Sequence, residues 1–128
     1  MAGEFIHDEV FDGGLDYVVA NGTRLDICSA APTSYAEATS TYTLGNKTSL
    51  TCTGPANASA GTGRAATVPA INDGSVTGTN TATHWGLTNA SDTLIAAGPL
   101  SGGGQSVTSG NTFTLDSIEV IIRDATVT

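Results

Sequence analysis

The sequence predicts a mainly β protein, an antiparallel β-sandwich or jelly-roll-like domain with one N-terminal helix, and three observations carry that expectation. Apolar residues recur at helical spacing near the start of the chain. Beyond residue 22, short runs rich in Thr, Val and Ile alternate between two faces, as pleated strands do. Gly, Asn, Asp and Pro punctuate these runs at short intervals, which is the chemistry of turns. The expected organisation is a helical segment over 1–22 and a β-sandwich domain over 23–128, together one structural unit.

The helix is expected over residues 4–20. Phe11, Leu15 and Val18 fall on one face, and Glu4, Asp8 and Glu9 suit the positive N-terminal end. Asn21-Gly22 stops it. Gly13 and Gly14 each cost about 1 kcal/mol relative to alanine, so this helix needs packing to persist, and close backbone approach is one reason for the pair. Residues 23–30 then read as a half-buried strand, with Leu25 and Ile27 on one face and Arg24, Asp26 and Cys28 on the other. Pro32 breaks it, and Thr33 is expected to cap a brief helical turn that reaches Ala38, with Glu37 nearby. Over 41–53 the β-branched content rises again around Gly45-Asn46, giving an irregular strand or a pair about a turn.

No apolar period survives in residues 54–63, which read as a mobile loop. Residues 64–71 form a strand carrying Val68 and Ile71, confined by Pro69 to an edge or a strand end, and Asn72-Asp73-Gly74 follows as a turn. Residues 79–88 set Thr83, Trp85 and Leu87 against Ala82, His84 and Gly86. They join 93–97 through Asn89-Ala90-Ser91-Asp92 as a hairpin, with Trp85 in the core and His84 outside. A flexible connection over 98–104 and a turn at Ser109-Gly110-Asn111 lead to the strongest strand, 112–123. Its alternation shifts at Asp116-Ser117, as at a bulge or bend.

Composition narrows the function classes. Of 128 residues only 39% are apolar, many of them alanine, so the core is expected to be thin and association with further copies is the natural remedy. A net charge of −8, with Arg24, Lys47, Arg64 and Arg123 as the only Lys and Arg residues, leaves no basic patch for nucleic acid. Met1-Ala2-Gly3-Glu4-Phe5 has neither the basic start nor the apolar run of a secretory signal or membrane anchor, so synthesis in the cytoplasm and no membrane partner are expected.

Chemistry-bearing patterns are weak. Cys28 and Cys52 lack the second pair of ligands a zinc site needs; they read as two buried thiols, with a disulfide between them as the other reading. His7, Asp8 and Glu9 are consecutive and do not converge from one helix face. Neither Asn72-Asp73-Gly74 nor Asn89-Ala90-Ser91-Asp92 follows a calcium-loop pattern, and Gly102-Gly103-Gly104 has no Lys-Ser or Lys-Thr behind it. His84 has no nucleophile or orienting carboxylate at a defined place. No catalytic residue, metal or cofactor is expected, and hence no enzyme.

Four stretches carry a resemblance. Phe5-Ile6-His7-Asp8-Glu9-Val10 leads into the helix, and the run from Thr23-Arg24-Leu25-Asp26-Ile27-Cys28 through Ala31-Pro32-Thr33-Ser34-Tyr35 follows it. Together with Ala82-Thr83-His84-Trp85-Gly86-Leu87 and Gln105-Ser106-Val107-Thr108-Ser109-Gly110, they resemble small virion-associated proteins of tailed bacteriophages over most of the chain. The resemblance implies a non-enzymatic virion structural protein, made in the host cytoplasm. A capsid decoration or cement protein is favoured, partnered by the major capsid protein or other virion proteins and by sister copies. Phe5, Ile6, Phe11 and the 54–63 loop are the candidate assembly contacts. A tail-, neck- or fibre-associated protein is the alternative within that class. A host-glycan-binding module, with Tyr35, Tyr42 or Trp85 stacking on sugar rings, is the alternative outside it.

Overall fold

The computed structural model describes residues 7–59 and 63–123. Helix α1 (Asp8–Asn21) opens the fold. The ring Nδ1 of His7 accepts the Glu9 N–H at 3.1 Å, so His7 caps the helix. The helix ends where the sequence places the stop, the Gly22 N–H donating to the Val18 carbonyl at 2.8 Å. Phe11, Leu15 and Val18 form its buried face.

The larger sheet is built around β1 (Arg24–Cys28), which pairs antiparallel with β2 (Thr43–Lys47) on one side and β7 (His84–Thr88) on the other. Beyond β2 lie β5 (Ile71–Val76) and β10 (Thr112–Leu115), and beyond β7 lies β8 (Leu94–Pro99). The order is β10-β5-β2-β1-β7-β8. A second antiparallel sheet runs β11 (Ile118–Ile122), β4 (Arg64–Val68), β3 (Thr53–Asn57). A ribbon of β6 (Asn80–Ala82) and β9 (Gln105–Val107) completes the set. The architecture is mainly β and sandwich-like, with α1 against β3 and β4. Leu15, Leu25, Ile27, Val68, Ile71 and Leu87 lie in the shared core.

Four elements differ from the sequence reading. First, β1 is buried on both faces, not one: Leu25 and Ile27 face the core, and Asp26 and Cys28 are buried too. The cover is the segment after Pro32, whose π-helical turn (Glu37–Thr41) packs on β1, β2 and β7 with Ala38 buried at the contact. Within that segment Ser34 Oγ accepts the Glu37 N–H, while the Glu37 carboxylate accepts both the N–H and the hydroxyl of Thr33, so the expected capping roles are exchanged.

Second, residues 54–63 are not all loop. β3 forms there because its backbone pairs with β4, with Ala56 opposite Ala65 and Asn57 opposite Arg64. Its side chains are small and mostly exposed, so no hydrophobic alternation marks it. Third, Asn72-Asp73-Gly74 is the middle of β5. Gly74 stands opposite Phe113, whose ring fills the space a side chain would take. Fourth, the run 79–88 divides at Thr83 into β6 and β7, while the hairpin of β7 with β8 forms as expected. The irregularity at Asp116-Ser117 is a change of sheet: β10 belongs to the larger sheet and β11 to the smaller.

Candidate functional site

A cleft of about 450 Å³ opens where the two edges of the larger sheet approach each other. Trp85 of β7 and Pro99 at the end of β8 line it from one edge, and Thr114 and Leu115 at the end of β10 line it from the other. Residues from both ends of the strand order thus meet at one seam. Ile118 of β11 and Leu100 add apolar surface, and Gln105 of β9 with Asp116 and Ser117 of the sheet-crossing corner add polar groups.

The cross-strand register holds Trp85 in place. Its partner on β8 is Gly98, and a Cβ added there would lie 3.1 Å from the indole Nε1 and Cζ2. The indole thus lies across a strand that has no side chain at that point. Trp85 packs against the core but is only half-buried, so part of the ring belongs to the cleft and not to the interior. His84 is half-buried as well, hydrogen-bonded to Thr83 Oγ1 at 2.8 Å, where the sequence had placed it outside.

A second feature lies on α1. Arg64 of β4 grips Asp12 through Nε and Nη2 at 2.8 and 3.1 Å, and its Nη1 donates to Asn57 Oδ1 at 2.9 Å, tying the helix to β4 and β3. This guanidinium hydrogen bond holds the Asp12 carboxyl below the usual carboxylate range. On the opposite face Val10 and Tyr17 stand out, 66% and 46% exposed, two turns apart and so in one line. Gly13 lies between them, and a Cβ there would meet nothing within 4 Å.

The residues chosen from the sequence divide as follows. Phe5 and Ile6 lie outside the described residues. Phe11 is buried at 6% exposure, so it anchors the helix to its own domain and is not presented to a partner. Cys28 and Cys52 are free thiols, which corrects the disulfide reading: Cys28 Sγ faces the Ala38 carbonyl at 3.6 Å, and Cys52 Sγ faces the Gly22 carbonyl at 3.2 Å. Burial, with the Asp26 carboxylate adding to it, pushes the Cys28 thiol up to about 12, and burial raises Cys52 as well. Tyr35 and Tyr42 are half-buried, flanking the π-helical turn outside the cleft. Among the described residues no group of three or more His, Cys, Asp and Glu gathers as metal ligands.

Sequence reasoning missed Gln105, Asp116 and Ser117, because only the tertiary fold brings β9 and the corner beside Trp85. Val10 and Tyr17 were within reach of it: the period that sets Phe11, Leu15 and Val18 inward turns these two outward. The elements together define a sandwich-like β domain with a half-open cleft and one clamped helix. Compared with known proteins, the chain matches no family model, no curated protein and no solved structure.

Proposed function

We propose that this chain is a non-enzymatic structural protein of a tailed-phage virion that decorates the capsid surface, docking on the shell or on sister copies through the outer face of α1. The observation that supports this reading is the exposed pair Val10 and Tyr17 on a helix already fixed from behind by Phe11, Leu15, Val18 and the Arg64 clamp. A pre-ordered helix loses little further freedom on docking. Burying a large apolar side chain contributes on the order of 1.5–3 kcal/mol, and tyrosine is enriched in interface cores. The sequence resemblance to virion-associated proteins supports the same reading, and a net charge of −8 would help keep decorated particles apart.

The test is a double variant, Val10→Ser with Tyr17→Ser. Neither side chain belongs to the buried core, so the domain should nearly keep its melting temperature. Truncation through residue 12 is a poorer probe, because it removes Phe11 and Asp12 from the fold. Co-sedimentation with particles stripped of the protein should show binding weakened about tenfold or more, roughly 1.4 kcal/mol. Undiminished binding overturns the helix contact. A cryo-electron microscopy map of the particle checks the address: regular density over the shell supports decoration, and density confined to the tail or neck overturns the capsid assignment.

A further inference from the structure

We infer that the seam cleft is a carbohydrate-binding site, in which a neutral glycan segment about the size of a disaccharide stacks on the half-buried face of Trp85. This goes beyond the assembly role and does not depend on it, since the cleft and the outer face of α1 share no residue.

Four observations lead there. The cleft, at about 450 Å³, falls in the range of small-molecule sites, roughly 300–1,000 Å³. Its lining includes an indole whose position is set by the cross-strand register, because Gly98 leaves the strand opposite it bare. An aromatic face is electron-rich and apolar, and the C–H face of a pyranose ring is the complementary surface.

The polar lining has the right inventory for sugar hydroxyls. Gln105 offers an amide that both donates and accepts, Asp116 a carboxylate that accepts, and Ser117 a hydroxyl that does either. All three are exposed, and among the described residues no internal hydrogen bond engages these side chains. Water meets their capacity, and a hydroxyl-bearing ligand can take its place. Finally, the lining carries no Lys, Arg or His, so a phosphate or carboxylate ligand would meet Asp116 with no compensating charge.

Other occupants fit less well. A lipid chain would leave the amide, carboxylate and hydroxyl groups without partners. An added peptide strand needs a run of free backbone along a sheet edge, whereas the edge strands reach this cleft only through Pro99 of β8 and Thr114 and Leu115 of β10.

The experiment uses the full chain, in which Trp85 is the single tryptophan, so fluorescence excited at wavelengths tyrosine does not absorb reports the surroundings of that one indole. Soluble gluco-, galacto-, manno- and N-acetylglucosamine oligosaccharides of two to four rings are titrated in turn. At least one should give a saturable change in intensity or emission wavelength at micromolar to millimolar concentration. Gln105→Ala and Asp116→Ala, both at exposed positions, should each weaken that ligand about tenfold while leaving the melting temperature unchanged. Gly98→Ala, whose methyl would crowd the indole at 3.1 Å, should weaken it without touching either polar group. The inference is overturned by silence across the whole panel, or by binding that neither polar variant alters. Saturable fluorescence changes with short peptides in place of sugars overturn it too.

Discussion

The centre of the larger sheet and the helix-bearing smaller sheet solve the same packing problem in different ways. At the centre, β1 is sealed on both faces, its large aliphatics inward and an ion pair beneath the π-helical segment: Arg24 grips Asp26 at 2.7 and 3.0 Å, and Thr43 donates to the same carboxylate at 2.6 Å. Asp26 is fully buried while Arg24 keeps 22% of its side-chain surface. In the smaller sheet, β3 and β4 carry Gly, Ala and Thr, which let α1 lie close, and the fastening is the partly buried Arg64–Asp12 pair. Ser59 adds a second tie, donating from its N–H and its hydroxyl to the Glu119 carboxylate of β11. Damage at the centre should therefore unfold the domain, and damage at the edge should loosen the helix first.

The largest effect expected is from Asp26→Ala. It strips a partly buried guanidinium of its partner and removes the acceptor of Thr43, a change of about 3–5 kcal/mol, of which the exposed part of Arg24 argues for the lower end. That is a large share of the roughly 5–15 kcal/mol a domain possesses, and urea unfolding should show it. Next is Gly74→Ala, whose methyl would fall on the ring of buried Phe113 and cost about 1–3 kcal/mol in the same assay. A loss under 0.5 kcal/mol would mean the pairing of β5 with β10 gives way easily.

Arg64→Ala tests the other region. Global stability should fall less, while hydrogen exchange in α1 should accelerate about tenfold with β1 and β7 still protected. Equal acceleration in β1 would show one cooperative unit and erase the distinction.

Acid offers a milder probe of the same clamp. Asp12 is held below its ordinary value in the folded protein by the Arg64 hydrogen bond, so its contribution is fully present above the unfolded-state value and is lost as pH falls through the folded one. Glu37, held down by the Thr33 backbone N–H, and Asp92, held down by the Asn89 side chain, act in the same sense. Asp12→Asn should therefore be less stable than the parent at neutral pH, and the two stability curves should converge at acid pH. Curves that stay parallel to low pH would show that the carboxylate charge contributes nothing.

Elements that bury an apolar stripe were legible in the sequence: the inner face of α1, the strand at Leu25 and Ile27, and the hairpin around Trp85 and Leu87. Elements held by backbone pairing alone were not. β3 has no apolar signal because α1 covers a sheet of small residues, and Gly74 looks like a turn until Phe113 is seen across from it. The sealed outer face of β1 was hidden for a related reason, since its cover comes from a π-helical segment with one buried alanine. Of the cleft, the sequence reading placed Trp85 in the core and named it, with Tyr35 and Tyr42, as a stacking residue only under the alternative glycan reading. It did not reach Asp116, although the broken alternation at 116–117 already marked the corner on which that carboxylate sits.

Gly13 gives the smallest expected effect and the sharpest separation of stability from assembly. Close backbone packing does not explain it, since a Cβ there meets only open space, while one on Gly14 would lie 3.3 Å from the movable end of Ile122. Within the isolated domain Gly13→Ala should therefore be a plain gain in helix propensity, about 0.5–1 kcal/mol, visible as a melting temperature a few degrees higher. The residue stands between Val10 and Tyr17 on the proposed docking face, however, where a partner backbone would approach most closely. Gly13→Ala should then strengthen the free protein and weaken its attachment to particles. A variant more stable in solution and equally well attached would show that the glycine leaves room for nothing, and would move the contact off this face of the helix.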